Sequence, residues 1–255
     1  INKRILSIEI KKIGKQADGS AFLRYGDTIM FVSATSKKEM KEEKPFLPLI
    51  VDYRENTYAA GKIPGGFFKR QGRPSEREIL VSRLIDRPIR SLFPEGYFYD
   101  TQIIALLLSA DLENEPDTLG IIGASVALYF SDIPFTTPIG AVKLGYINNE
   151  FIINPTVKQL EESSLNMMVV GSDEGIVVIE AGATEIEEEK IVEGVVFAQE
   201  TIDQIIKAQK DLYDKLHIQK RKFSTKELDQ ANFEKIKKEI SSSLIKTISS
   251  KKKKT

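Results

Sequence analysis

The sequence predicts an α+β fold in which antiparallel groups of strands are layered with helices gathered between them. Short runs of apolar and β-branched residues, separated by turn residues, fill residues 3–55 and 139–183. Residues 74–90 and 187–216 instead repeat apolar side chains at spacings of three and four, which is typical of amphipathic helices. Grouped strands and grouped helices indicate a layered sandwich rather than a doubly wound parallel sheet.

The composition limits the class of protein and the chemistry available to it. The 255 residues are 41% hydrophobic and 29% charged, which suffices for one large core or two modest domains. No run approaches 18 consecutive apolar residues, so we expect no membrane span, no secretory signal and a cytoplasmic protein. The absence of cysteine excludes disulfides and thiolate metal sites, and we predict a surface or packing role for the single histidine, His217. Any metal would need carboxylate and phosphate oxygens, which favours magnesium or manganese.

The first third of the chain is predicted to be mostly strand. Residues 3–13, 21–35 and 46–55 are apolar, rich in β-branched residues and of strand length. The charged run SKKEMKEEK, residues 36–44, is predicted to be a solvated hairpin loop between two of these strands.

A helix is predicted from residue 74 to about residue 90. Pro74 suits a first helical position, and Ser75 to Glu78 provide helix-start chemistry. Four side chains form an apolar stripe on the helical wheel: Leu80, Val81, Leu84 and Ile85. Three arginines lie within about 60° of one another on the adjacent arc: Arg83, Arg87 and Arg90.

The remaining elements follow from the same patterns. We predict a buried strand at residues 102–111 and a tightly packed helix at 119–132. A hairpin at 139–156 is predicted to turn at Asn148-Asn149. Two further strands are predicted at 165–172 and 175–183, followed by a long amphipathic helix at 187–216. Residues 218–255 carry a sparse helical pattern with too few apolar residues for a core of their own. We therefore predict a first domain over residues 1–217 and a truncated helical segment over residues 218–255.

The charge is segregated although the net charge is zero. Residues 220–255 hold twelve Lys or Arg and four Asp or Glu, a net of +8, so the rest of the chain carries −8. Within that acidic part, residues 61–90 hold eight basic and three acidic residues. A polyanion could therefore be attracted to one patch of the protein.

The stretch GKIPGGFFKRQGRPSER, residues 61–77, combines glycines, two phenylalanines and basic side chains. Glycines let the backbone approach a ligand closely, and exposed aromatic rings stack on bases at roughly 1 to 3 kcal/mol each. Basic neighbours can follow the phosphates, so single-stranded nucleic acid is the predicted ligand of five residues: Phe67, Phe68, Lys69, Arg70 and Arg73. The alternative is that the two phenylalanines are core anchors at the base of a loop.

Two readings are open for the arginine row of Arg83, Arg87 and Arg90. Planar guanidinium groups match phosphate oxygens, so the row could guide phosphates along the helix. It could equally be a salt-bridged helix face that uses Glu76, Asp86 or the acidic segments.

Four sequence blocks resemble the first core domain of the bacterial polynucleotide phosphorylase family. They are QADGSAFLRYGDT, AAGKIPGGFFKRQGRPSEREIL, SRLIDRPIRSLFPEG and IGASVALYFSDIPFTTPIGAVKLGY, in family order between about residues 15 and 208. The resemblance implies a ribonuclease PH-like fold and a homotrimeric ring around a channel. It also implies magnesium-dependent phosphorolysis of RNA from the 3′ end, with inorganic phosphate as co-substrate.

The resemblance carries over unevenly to individual residues. The family's constricting aromatic and basic loop matches Phe67 to Arg70, with lysine at residue 69 where many members have arginine. The family's catalytic repeat has two aspartates and a lysine at positions that read Leu160, Asn166 and Met168 in this sequence. These side chains cannot replace a metal-binding carboxylate or a catalytic lysine.

A second departure concerns phosphate binding. The serine-rich segment of the catalytic repeat is matched here by Gly123-Ala124-Ser125, which we expect at a helix start and which has a single serine.

The resemblance therefore predicts the RNA-binding and trimer-forming part of a polyribonucleotide nucleotidyltransferase, with the catalytic centre in a second repeat that this chain lacks. We expect Mg²⁺ or Mn²⁺ in the full enzyme and no metal held by this chain. The expected partners are single-stranded RNA, inorganic phosphate, identical subunits and proteins of an RNA-degradation complex. Two alternatives are an autonomous ribonuclease PH-like phosphorolytic exoribonuclease and a structural ring subunit without catalysis.

Overall fold

A five-stranded sheet, sheet A, forms the first half of the structure. The computed structural model describes residues 4–40, 46–65, 72–216, 218–224 and 230–249. The strands of sheet A are β1 (Leu6–Ile10), β2 (Gly19–Tyr25), β3 (Thr28–Ser36), β4 (Leu49–Glu55) and β5 (Thr101–Ser109). Their order is β1-β2-β3-β5-β4, and all neighbours are antiparallel except β4 and β5, which are parallel.

The prediction of a hairpin over residues 36–44 is wrong. Strand β5 lies between β3 and β4, so these two strands are not neighbours and cannot form a hairpin; residues 41–45 themselves lie outside the described residues. The composition of a charged connection does not show whether the strands that it joins are neighbours in the sheet. Here β5, which comes later in the chain, pairs with both β3 and β4 and separates them.

A four-stranded antiparallel sheet, sheet B, forms the second half. Its strands are β6 (Gly140–Ile147), β7 (Glu150–Ile153), β8 (Leu165–Ser172) and β9 (Gly175–Ala183), in the order β7-β6-β8-β9. The predicted hairpin over residues 139–156 is confirmed as β6 and β7. Asn148 and Asn149 have φ angles of 50° and 64°, as a two-residue type I′ turn requires.

Five α-helices accompany the sheets: α1 (Glu76–Ser91), α2 (Asp117–Tyr129), α3 (Val157–Glu162), α4 (Glu188–Tyr213) and α5 (Gln230–Ser249). Helix α1 begins after a capping box, in which Ser75 Oγ accepts from the Glu78 amide and the Glu78 carboxylate accepts from the Ser75 amide. Helix α3 was missed, because six residues are too few to show a helical period.

Helix α2 lies between the two sheets, and all thirteen of its residues are buried. It contacts β2 and β3 on one side and β6 on the other. Gly123, Ala124 and Ser125 lie in the middle of this helix, so the expectation that they mark a helix start is wrong. Helix α1 contacts β4 and α2, and α4 covers sheet B by contacting β6 and β8. The predicted α+β layered sandwich is confirmed.

The segment after α4 returns to the body of the first unit. Lys220 Nζ donates to the carbonyl oxygens of Leu128, Tyr129 and Ser131 at 3.1, 2.8 and 3.0 Å, at the C-terminal end of α2. The ring of Phe223 packs edge-on against Tyr97, with 5.2 Å between centroids.

The chain divides into a first compact unit, Ile1–Phe223, and a second, Ser224–Thr255. The first unit therefore includes residues 218–223. In the second unit, α5 exposes apolar side chains along its length: Phe233, Ile236, Ile240, Leu244 and Ile248. Among the described helices, none combines the length and the apolar character needed to cross a bilayer.

Candidate nucleic-acid interface

The loop predicted to bind nucleic acid leads into α1. Phe67, Phe68, Lys69 and Arg70, like His217, lie outside the described residues. Arg73, the fifth predicted ligand, is exposed three positions before the first residue of α1. Its side chain is therefore placed beside the start of the helix that carries the arginine row.

The three arginines of the row are exposed on α1 but have different surroundings. Arg83 forms no ion pair with any residue that the structure describes, and it lines the grooves on both sides of the helix. Arg87 forms an ion pair with Glu180 of β9. Arg90 donates to both carboxylate oxygens of Asp86 and to two backbone carbonyls.

The four side chains predicted to form the apolar stripe of α1 are not all buried. Val81 and Ile85 are buried, together with Pro88 and Ile89. Leu80, however, is 52% exposed and lines the groove that also contains Arg83 and Arg87. The difference arises because β4 and α2 cover one side of α1 and leave the neighbouring side open.

The three positions that the resemblance matches to catalytic residues do not form a polar site. Leu160 is half-buried on α3, Asn166 is exposed on β8, and Met168 is buried on β8. Met168 lies between two charged residues in the sheet register, opposite Lys143 of β6 on one side and Glu180 of β9 on the other.

Lys143 belongs to a charge cluster at the start of α2 that the sequence did not reveal. Its ammonium group forms an ion pair with Glu115 and lies 3.8 Å from the carboxylate of Asp117. Arg77 of α1 donates to Asp117 at 2.9 Å and to Glu55 at 3.0 Å. The cluster therefore links sheet B, through Lys143, to α1 and to the end of β4.

Burial controls the electrostatics of this cluster. The side chains of Lys143 and Asp117 are only 11% and 8% exposed. Burial raises the pKa of Asp117, Glu115 and Glu55 add to the effect, and Arg77 and Lys143 oppose it. Nothing in the sequence links the acidic segment 111–117 to a lysine 28 residues from Glu115.

These residues do not fit a divalent metal. Over the described parts of the chain, no group of three or more His, Cys, Asp or Glu side chains is placed to hold a metal ion. The carboxylates of Glu55, Glu115 and Asp117 are paired with Arg77 and Lys143. Leu160, Asn166 and Met168 offer no carboxylate either, so the described residues supply no set of ligands for a catalytic metal.

Comparison with known proteins gives consistent relatives. The chain is 48% identical over 239 residues to a polyribonucleotide nucleotidyltransferase of Acidobacterium capsulatum, covering 94% of this chain and 30% of that protein. It is 50% identical over 239 residues to the protein of the same name from Koribacter versatilis, covering 94% and 29%. The chain thus spans about 30% of the length of these curated relatives.

A solved structure and two family models identify the fold and the family. The crystal structure of rice Rrp46 superposes with a TM-score of 0.68 at 16% identity, covering 84% of this chain and 96% of that one, which confirms the ribonuclease PH-like fold. Residues 2–134 match domain 1 of the 3′ exoribonuclease family, and residues 137–201 match its domain 2. The chain therefore belongs to the 3′ exoribonuclease (RNase PH) family.

Proposed function

We propose that this chain is the RNA-binding and trimer-forming part of a polyribonucleotide nucleotidyltransferase that degrades RNA from its 3′ end. The observation that carries the proposal is its identity of 48 to 50% to proteins of that name over 94% of the chain. The side chains Leu160, Asn166 and Met168 support a binding role rather than a catalytic one, because none can ligate a metal as a carboxylate does or replace a lysine.

The proposed RNA path follows the loop and the start of α1. Phe67 and Phe68 stack on unpaired bases, and Lys69, Arg70 and Arg73 contact the backbone phosphates. Arg83 continues the path along α1, because it is exposed and has no ion-pair partner among the described residues. Arg87 holds the helix through Glu180 of β9, and Arg90 holds it through the carbonyls of Leu47 and Leu49.

In the proposed reaction an oxygen of inorganic phosphate attacks the phosphorus of the terminal nucleotide. The bond from that phosphorus to the 3′ oxygen of the preceding nucleotide breaks, which releases a nucleoside diphosphate and leaves a shortened RNA with a free 3′ hydroxyl. Mg²⁺ or Mn²⁺, held by carboxylates of another repeat of the full enzyme, would neutralise the phosphate charges. We place the enzyme in the cytoplasm as a homotrimer, with proteins of an RNA-degradation complex as further partners.

The proposal is tested on the purified chain with two assays. The first measures affinity for a single-stranded oligoadenylate at two salt concentrations, and the second measures ADP release with phosphate and magnesium. We expect binding that weakens steeply with salt, since phosphate contacts release counterions, and no ADP above background. ADP release that survives Asn166→Ala would favour an autonomous exoribonuclease, and salt-independent or absent binding would favour a structural ring subunit.

A single variant tests the role of the loop. Phe68→Ala should weaken oligoadenylate binding by roughly 1 to 3 kcal/mol, the value of one base–aromatic stack, and leave the melting temperature unchanged. A large fall in melting temperature would show instead that this ring is part of the core.

A further inference from the structure

Helix α1 runs along a free edge of sheet A. Among the described residues, strand β4 is the last strand in the order β1-β2-β3-β5-β4, so one side of it has no strand neighbour there. The unpaired N–H and C=O groups of such an edge can pair with a strand of another chain, and proteins commonly cover them. In this structure the cover is provided by side chains of α1.

The first half of α1 satisfies two amides of β4. The Glu78 carboxylate accepts from the Glu55 amide at 2.9 Å, and Ser82 Oγ accepts from the Tyr53 amide at 3.1 Å. Burial by itself would raise the pKa of Glu78, but the hydrogen bonds from the Ser75 and Glu55 amides outweigh it and lower the pKa. These two amides therefore stabilise the ionised form of the Glu78 carboxylate.

The second half of α1 donates to two carbonyls, one at the first residue of the strand and one two residues before it. Arg90 donates from one terminal nitrogen to Leu47 O at 2.8 Å and from the other to Leu49 O at 3.0 Å. Asp86, one turn earlier, accepts from Arg90 Nε at 2.9 Å and from a terminal nitrogen at 2.8 Å. All three nitrogens of the guanidinium group are thus engaged within the fold.

Helix α1 and strand β4 can contact each other repeatedly, because four residues of a helix span nearly the same length as two residues of a strand. Positions 78, 82, 86 and 90 are spaced by four residues, about 6 Å along a helix. Positions 55, 53, 51 and 49 are spaced by two residues, about 6.6 Å along a strand, and their backbone groups point to the same edge. The helix and the strand run in opposite directions, and one face of α1 lies along one edge of β4 for three turns.

We propose that the ladder formed by Glu78, Ser82 and Arg90, with Asp86 holding the Arg90 guanidinium in place, seals the free edge of β4, and that Arg90 is a positioning residue for α1 rather than a phosphate ligand. The helix register set by this ladder leaves Arg83 on the open side, between the grooves that flank α1. The proposal that Arg83, and not Arg90, guides phosphates rests on the proposed RNA-binding function. The sealing of β4 does not depend on that function.

The test compares Arg90→Gln with Arg83→Gln, a matched change on the same helix. Arg90→Gln should lower the melting temperature by roughly 3 to 8 °C, because it removes several hydrogen bonds, and Arg83→Gln should lower it by about 1 °C or less. In oligoadenylate binding, Arg83→Gln should reduce the slope of log affinity against log salt by about 0.7, and Arg90→Gln should leave the slope unchanged.

Ser82→Ala keeps the ladder testable if Arg90→Gln fails to fold. It should speed hydrogen exchange of the Tyr53 amide about tenfold, with a smaller change at the Glu55 amide that Glu78 holds. Unchanged exchange at Tyr53, or wild-type melting of Arg90→Gln, would overturn the seal. A reduced salt slope in Arg90→Gln would show that Arg90 binds phosphate. If the parent chain does not bind RNA, the proposed function fails, while melting and exchange still decide the ladder.

Discussion

Lys143 and Met168 are directly opposite each other on neighbouring strands β6 and β8, and the charge of Lys143 is directed to Glu115. Met168 occupies the position that the family resemblance matches to a catalytic lysine. The cation in this region of the fold is therefore Lys143 on the neighbouring strand β6, and it pairs with the acidic residues at the start of α2. The ion pairs of Lys143 thus link β6 to the start of α2.

Lys143→Met tests this contact. The substitution leaves the buried Asp117 and the half-buried Glu115 with Arg77 as their remaining cation, so the free energy of unfolding should fall by roughly 3 kcal/mol at pH 7. The loss should shrink as the pH is lowered, because burial raises the pKa of Asp117 and its protonated carboxyl no longer needs the missing charge. Urea unfolding at pH 7 and at pH 4.5 measures both effects. Lys158→Met, at an exposed position of α3, is the control, and equal losses in the two variants would contradict the structural role of Lys143.

Lys220 should make stability depend on pH in the alkaline range. Burial lowers its pKa from 10.5 to about 7, against a raising effect of Asp132. Between these two values the unfolded chain binds a proton that the folded chain has released, so the free energy of unfolding should rise from pH 7 to pH 10.5 and be level below pH 7. Lys220→Met should remove this rise, and Lys222→Met, at the exposed neighbouring position, should keep it. A level profile in the parent chain would show that the three carbonyls around Nζ keep the ammonium protonated.

Gly19 should tolerate no side chain. A Cβ atom there would lie 1.9 Å from the carbonyl oxygen of Ala127, a backbone atom of the buried helix α2 that cannot move independently. Gly19→Ala should therefore destabilise the fold by roughly 3 kcal/mol or more, measured by urea unfolding. Gly182→Ala is the matched strand control, since no atom lies within 4 Å of its added Cβ. Similar losses at the two sites would contradict the steric explanation.

The turn between β6 and β7 should depend on residues that accept positive φ. Asn149 has a φ of 64°, where a β-branched side chain is strained, so Asn149→Val should cost about 1 to 2 kcal/mol. Asn149→Gly should be neutral or slightly stabilising, because Asn-Gly is a preferred type I′ pair. Thermal melting distinguishes the two variants, and equal melting temperatures would show that the turn does not depend on its left-handed backbone.

Local elements were predictable because their determinants are close together in the chain. The hairpin at Asn148-Asn149 and the capping box of Ser75 and Glu78 each depend on residues within four positions of one another. The long apolar period of α4 is equally local. The family resemblance likewise depends on contiguous blocks, and it led to the fold and to the prediction that Leu160, Asn166 and Met168 are not catalytic.

The roles of individual charged residues were not predictable, since each depends on a partner far away in the sequence. A helical wheel places Arg83, Arg87 and Arg90 on one arc, but their surroundings differ because Leu47, Leu49 and Glu180 approach two of them and not the third. The pairing of Lys143 with Glu115 depends on how sheet B packs over α2.

The sequence by itself thus determined where most of the helices, strands and turns form, with α3 as an exception, and which family the chain resembles, since capping, turn chemistry and periodicity act over a few residues. Only the tertiary structure decided that β5 separates β3 from β4, that Leu80 is exposed beside the arginines and that Arg90 is bound to the edge of β4. These outcomes depend on which surfaces the remaining elements cover, and burial of that kind is a property of the whole packed unit.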